Sequence, residues 1–435
     1  MRIRIYNASV WEPGSRSFQE GQELWIESDQ IVRRGPGTDL AQEAKKLRFD
    51  EQIDARDKLV LPSFKNAHTH SAMTFLRSYA DDLALQEWLE QQVFPMERLL
   101  DEEDCYVFAK LAMLEYLAGG IGLAFDMYLF PEATARAAVD MGLRCQICVA
   151  GTDEAMEKLE EQYQRFNHYH ELLGCKLGFH AEYSSRRSWL EDLAGLANKY
   201  QAPVYTHCAE TRREVEACLE REGQTPLAYL DELGMFRHGG GIFHGVHLTA
   251  EELERLARRQ IWVVSNPASN AKLASGIAPL KDLAAAGVGL ALGTDGPASN
   301  NALDFFREMY LASVGQKLRY GDAAALDAET VLDMACSGGA RALGLADCVS
   351  LEQGQNADLI MIDLLAPNLQ PAHAPAKNLV YAGQPGNVCL TMVAGQIRYR
   401  DGAFFVGEDP QAIYKEARRR FAALNERARK ARLRS

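Results

Sequence analysis

The spacing of apolar and polar positions changes character twice along the chain. Up to about residue 57 the two kinds alternate in short runs, clearest at 2–10, 23–27 and 30–33. A period of two predicts β-strands, and only 39–47 carries a helical period in this region. From 59 onward, short apolar runs alternate with amphipathic stretches. The runs are 59–67, 122–127, 143–150, 176–181, 202–207, 241–244, 261–265 and 289–293. The stretches between them, among them 102–117, 131–141, 154–173, 188–200, 214–219, 250–258 and 279–286, repeat with a helical period. Gly142, Gly174, Gly234 and Gly287 stand where those helices should stop. Eight strands alternating with helices predict an α/β fold, a (β/α)8 TIM barrel over 58–350. Further helix at 303–316 and 328–343 is expected to pack on it. From about 351 the strand texture returns, so 1–57 and 351–407 are expected to form one small β domain beside the barrel. The last segment, 408–435, predicts a basic helix with a solvated charged face.

Composition narrows the class. The 435 residues are 47% hydrophobic and 25% charged, enough for a large core. A net charge of -13 argues against nucleic acid or an anionic membrane as partner. No apolar run is long enough to span a membrane, and residues 2–6 alternate like a strand rather than a targeting leader. The nine cysteines are scattered. Cys145 and Cys148 form a CxxC, but it lies inside an apolar run with no second pair, and both are read as core thiols. Reduced thiols point to the cytoplasm. A small-molecule substrate is the expected partner, and a homo-oligomer is compatible with everything in the chain.

The chemistry-bearing side chains fall at the ends of the predicted barrel strands, where barrels of this kind place catalytic groups. His68 and His70 end the first; residues two apart on a strand share a face, so both imidazoles can reach one ion. His180 ends the fourth, His207 the fifth, His244 the sixth and Asp295 the eighth. His68, His70, His207 and Asp295 are the expected ligands of one divalent metal. Imidazoles with a carboxylate suit Zn2+, and Fe2+ or Mn2+ less selectively. His244 is a further ligand or, in preference, a group beside the hydrolytic water. His247 competes for that place but begins the turn before Thr249, a helix N-cap. Glu210, three residues after His207, can overhang the metal without binding it, as a proton shuttle must. His168, His170, His238 and His373 have no such placement and are read as surface residues.

His68-Thr69-His70, HCAE at 207–210, HGVHLT at 244–249, SNPASNAKLASGIAPL at 265–280 and LGTDGPASNN at 292–301 together resemble the amidohydrolase superfamily. More narrowly they resemble its branch of methylthioadenosine/S-adenosylhomocysteine deaminases, related to chlorohydrolases and guanine deaminases. The likeness covers about 55–345 and extends weakly into both ends. It implies a distorted barrel, a flanking β-sandwich and one divalent metal, usually zinc. It implies His68, His70, His207 and Asp295 as ligands, Glu210 as the proton shuttle, and His244 beside the water. Asp295 also takes and returns the water's proton. Glu97, in WLEQQVFPME, matches a glutamate that holds ribose hydroxyls; His180 matches a substrate-facing histidine, and Ser299 a serine that contacts the base. Trp88, in the same segment as Glu97, is a candidate to pack on an adenine.

Two departures bear on the substrate. Acidic residues replace the branch's arginines after the third strand, in VAGTDEAMEKLEEQ, leaving Arg144, Arg186 and Arg187 as candidate substitutes. Glu182 stands where the branch has proline. An acidic rim favours an uncharged or cationic 5′-modified adenosine, or another aminated heterocycle, over the anionic tail of adenosylhomocysteine. The expected reaction is therefore hydrolytic deamination of an aminated purine, most simply an adenosine. The competing readings are a guanine- or pterin-like base, or a triazine. Glu97 favours a ribose-bearing substrate over these. A non-catalytic scaffold is disfavoured because no ligand is missing.

Overall fold

Both chain ends enter one mixed sheet. In the computed structural model, which describes residues 1–79, 81–83, 85–150 and 155–432, the N-terminal part supplies β1 (Arg2–Glu12), β2 (Ser17–Glu27), β3 (Gln30–Pro36), β4 (Glu51–Asp54) and β5 (Lys58–Pro62). Eight parallel strands follow: β6 (Phe64–Thr69), β7 (Ile121–Asp126), β8 (Arg144–Ala150), β9 (Leu173–Gly178), β10 (Val204–Cys208), β11 (Gly240–His244), β12 (Ile261–Ser265) and β13 (Leu290–Leu292). The C-terminal part returns with β14 (Leu359–Asp363), β15 (Val388–Val393), β16 (Gln396–Arg400) and β17 (Ala403–Phe404). The mixed sheet runs β17-β16-β15-β14-β5-β1-β2-β3, with β4 paired to β1. It folds around its own core of Ile3, Ile5, Leu24, Ile26, Val60, Leu359, Met361 and Met392.

The barrel strands stand in sequence order from β6 to β13. Closure between the first and last is made by specific bonds rather than a ladder. Thr294 N donates to Asn66 Oδ1 at 2.9 Å, Asn66 Nδ2 to Thr294 Oγ1 at 2.7 Å, and Asp295 N to the His68 carbonyl at 3.1 Å. Gly293 permits this approach, since a Cβ there would lie 2.8 Å from the His68 carbonyl oxygen.

Several expectations are corrected. The run 59–67 is not one barrel strand: it breaks at Ser63, and its first half pairs antiparallel with β14 in the mixed sheet. Pro62 has no N–H to continue a ladder, and Ser63 N turns to the Asp358 carbonyl at 2.9 Å. Gly174 does not stop a helix. It lies inside β9, where a Cβ would collide with the Gln146 side chain, and the helix before it ends at Phe166. The strand then ends at Gly178, so His180 sits two residues beyond it.

Cys145 and Cys148 are buried on opposite sides of β8, one in the main core and the other in a cluster with Phe125 and Tyr205, and neither is disulfide-bonded. No helix among the described residues is long and apolar enough to cross a membrane. The helix Pro410–Arg432 does not present its basic residues wholly to solvent: Arg420 and Arg427 are engaged on the barrel, because one face of that helix is apolar and buried.

Candidate active site

Three imidazoles and a carboxylate meet at the C-terminal rim. The ligating atoms of His68, His70, His207 and Asp295 lie within 4.8 Å of one another, and all four residues are buried. Each ring is aimed by a contact on its far side. His207 Nδ1 donates to the His180 carbonyl at 2.7 Å, and His70 Nδ1 to the Met127 carbonyl. Both bonds fix the tautomer that leaves Nε2 free for the centre. His68 is held differently, stacked on Phe243 with ring centroids 3.7 Å apart. Its Nε2 is 3.4 Å from Asp295 Oδ1, and neither ring nitrogen makes a hydrogen bond although the residue is fully buried. A buried imidazole without partners is costly unless a ligand completes it.

The donor set fits a divalent cation on electrostatic grounds also. Burial drives the His68 imidazole down to about 3 and His207 well below its ordinary range, so both are neutral lone-pair donors. Burial opposes charge on His70 too, yet Asp295, with Oδ1 3.1 Å from Nε2, holds it up at about 9. The carboxylate therefore favours positive charge at this point, among three rings.

Asp295 Oδ2 accepts from Ser269 Oγ and from Ser299 Oγ, each at 2.6 Å. Both serines leave Oδ1 facing the histidines. His244 Nδ1 donates to Asn270 Oδ1 at 2.7 Å, which turns its Nε2 toward Glu210 Oε2, 3.8 Å away. Burial pushes the Glu210 carboxyl above the usual range, with His244 working against that shift. The turn carrying Glu210 is clamped by Glu214, whose carboxylate accepts from the backbone N–H groups of Ala209 and Glu210 at 2.7 and 2.8 Å. His247 is turned away, its Nε2 donating to the Ser275 carbonyl at 2.8 Å, while Ser275 Oγ donates to Glu210 Oε1 at 3.4 Å. Three of these rim residues adopt left-handed backbone, Ala209 at φ 53°, His244 at 72° and Asp295 at 57°. That conformation costs a non-glycine residue about 1–3 kcal/mol and persists only where neighbours over-determine it. Here the Ala209 carbonyl accepts from both Val246 N and His247 N.

The centre opens into a cavity of about 760 Å³. Glu97, His180, Ser299 and Trp88 all line it, together with Glu210, His244 and three of the four candidate ligands, His70, His207 and Asp295. The fourth, His68, lies beneath them. Burial raises the Glu97 carboxyl, and the neighbouring Tyr128 hydroxyl partly offsets this. His180 Nδ1 lies 3.3 Å from Ser184 Oγ, and burial lowers its imidazole to about 4.

Of the residues expected to make an acidic rim, Asp153 and Glu154 lie outside the described residues, and Glu182 does not reach the cavity. Glu182 is buried, paired with Arg221, and absent from the cavity wall. None of Arg144, Arg186 and Arg187 lines the cavity; Arg144 starts β8 at the opposite end and pairs with Asp358 at 2.7 Å. Arg98, Glu132 and Lys158 line it instead. Residues 151–154 of the altered loop lie outside the described residues. Ser269, Asn270, Ser275 and Glu214 were not anticipated. The first three lie in the quoted 265–280 motif, but their partners Asp295, His244 and Glu210 lie in other segments of the rim, so spacing alone carries no signal for them. His168, His170 and His373 are exposed, and His238 is half-buried beside Asn198.

Barrel, rim and donor set together define a metal-dependent hydrolase of the (β/α)8 class. The chain belongs to the amidohydrolase family, which it matches over residues 59–398. It is 40% identical over 405 residues to a 5-methylthioadenosine/S-adenosylhomocysteine deaminase of Nitratidesulfovibrio vulgaris, covering 91% of each chain. It is likewise 40% identical to the enzyme of that name from Moorella thermoacetica, over 91% of this chain and 93% of the other. Among solved structures it resembles an adenosine deaminase from Xanthomonas campestris with bound zinc, at a TM-score of 0.90, 32% identity and 98% coverage of both chains.

Proposed function

We propose that this chain hydrolyses the exocyclic amine of an aminated purine, an adenosine or 5′-modified adenosine of the methylthioadenosine or adenosylhomocysteine kind, releasing ammonia, with zinc as its metal. The observation that carries this reading is the presence in one cavity of His70, His207 and Asp295, of Glu210 with His244, and of Glu97. The names of the relatives and the zinc of the Xanthomonas structure support it.

His68, His70, His207 and Asp295 would hold the ion, which when bound supplies a Lewis acid that lowers the pKa of water toward neutrality. Asp295, anchored by Ser269 and Ser299, is placed to take the water's proton. His244 Nε2, left an acceptor by the bond from Nδ1–H to Asn270, orients that water. Glu210, whose burial favours the protonated acid, donates to the ring nitrogen beside the carbon bearing the amine. The water oxygen, its proton passed to Asp295, adds to that carbon; the carbon–nitrogen bond then breaks as Asp295 gives this proton to the departing amine, and the remaining hydroxyl proton returns to Glu210 as the carbonyl forms. Glu97 accepts from the ribose hydroxyls and sets the base against Glu210. Among the described residues the mouth carries both signs of charge, which accommodates a zwitterionic 5′ tail as well as an uncharged one.

Ammonia release measured against adenosine, its 5′-thioether derivatives, guanine, a pterin and a triazine tests the reading; no release from any adenosine would sink it. Glu97→Ala is expected to raise KM for adenosine by about 10- to 100-fold with a smaller change in kcat, the loss of charge-assisted bonds to the ribose. An unchanged KM would remove Glu97 from that role.

A further inference from the structure

The C-terminal helix Pro410–Arg432 is rich in arginine, and two of its arginines converge on one point of the barrel. Ile413, Ala417, Leu424 and Ala428 form its buried stripe, and Arg420 and Arg427 fall on the same side at helical spacing. They reach the start of the helix Glu102–Ala118. That helix opens with a capping box in which both side chains are carboxylates: Asp104 N donates to Asp101 Oδ1 at 2.8 Å, and Asp101 N to Asp104 Oδ2 at 3.2 Å. Two like charges side by side, with Asp104 wholly buried, would repel. Arg420 Nη1 lies 3.3 Å from an oxygen of each, and Arg427 pairs with both as well. Glu408, just before the helix, pairs with Lys110 two turns further along the same barrel helix.

Asp101 stands one turn after Glu97. The intervening chain is a single tight turn in which Leu100 N donates to the Glu97 carbonyl at 3.1 Å. The short helix Phe94–Glu97 itself packs against the C-terminal helix. Glu97 therefore takes its place in the cavity from a segment fixed at its C-terminal side by the doubly paired Asp101–Asp104 box.

We propose that Arg420 and Arg427 are positioning residues for Glu97, so that the C-terminal helix sets the enzyme's preference for a hydroxylated ribose. This rests on the ribose reading of Glu97. Neither arginine touches the cavity, and both bond to the Asp101–Asp104 box that follows the Glu97 turn.

The test uses the full-length, metal-loaded protein and compares adenosine with 2′,3′-dideoxyadenosine, which lacks the hydroxyls. Arg420→Ala combined with Arg427→Ala is expected to raise KM for adenosine roughly three- to tenfold, with kcat, metal content and KM for the dideoxynucleoside little changed. The Arg-to-Lys pair should recover part of the loss, and in a Glu97→Ala background the double substitution should add nothing. A double variant that keeps the full preference for adenosine, or loses activity equally on both nucleosides, overturns the proposal. If the double variant does not fold, the single Arg427→Gln change at the more exposed arginine is read by the same ratio. A wild-type enzyme that turns over both nucleosides with equal KM would instead overturn the ribose reading of Glu97, a separate and recognisable failure.

Discussion

Glu210→Gln is expected to bind metal at full stoichiometry and to lose about 10²- to 10⁴-fold in kcat, the usual contribution of a positioned acid or base. The substitution is nearly isosteric. It leaves the backbone of the 209–211 turn bonded to Glu214 and leaves the four rim donors untouched. What it removes is a proton that can be given up. Burial favours that proton on the Glu210 carboxyl, which faces His244 Nε2 across 3.8 Å. Metal content by mass spectrometry and turnover by ammonia release separate the two properties. A near-wild-type rate would take Glu210 out of proton transfer; a rate loss accompanied by metal loss would make it part of the metal site instead.

His207→Ala is expected to abolish activity by emptying the site. Outer partners of metal ligands are worth roughly 10- to 100-fold in affinity, and removal of a ligand should exceed that. His207 stands at the centre of the donor set, with ring centroids 4.7 Å from His68 and 5.4 Å from His70. Its loss leaves two rings and Asp295, the last held by Ser269 and Ser299 with no third imidazole opposite. The folded barrel should survive, since His207 closes no part of the hydrophobic core and its neighbours Thr206 and Cys208 keep their places in β10. Circular dichroism together with metal analysis distinguishes an empty barrel from an unfolded one. Normal metal content in this variant would show that the ligand set is different.

Much of the site was legible because its geometry is local. A period of two places His68 and His70 on one face, and the rule that barrel strands present chemistry at their C-terminal ends selected His207, His244 and Asp295 from a chain with ten histidines. Other features were illegible for a common reason: they are bonds between segments far apart in sequence. Glu182 stands in the sequence as a candidate for an acidic rim, but Arg221, on another helix, pairs with it. Arg144 is one of three candidate substitutes for the missing arginines by sequence, but Asp358, just before β14, claims it. The hydroxyl of Ser269 ranks above no other serine in the chain until the fold brings it to Asp295, 26 residues away; Ser299, four residues from Asp295, is marked by its motif, but for contact with the base.

The sequence by itself carried the alternation that makes a barrel, because periodicity is a property of neighbouring residues, and the motifs that resemble the family and mark the four rim donors as candidates. Only the tertiary structure decided where the strand 59–67 breaks, how β6 and β13 close through Asn66, Thr294 and the Asp295 backbone, and which groups orient each donor. It also decided that the basic C-terminal helix reaches back to the turn beside Glu97. Burial and pairing depend on what lies across the fold. A carboxylate in water and one beside an arginine are the same letter in the chain.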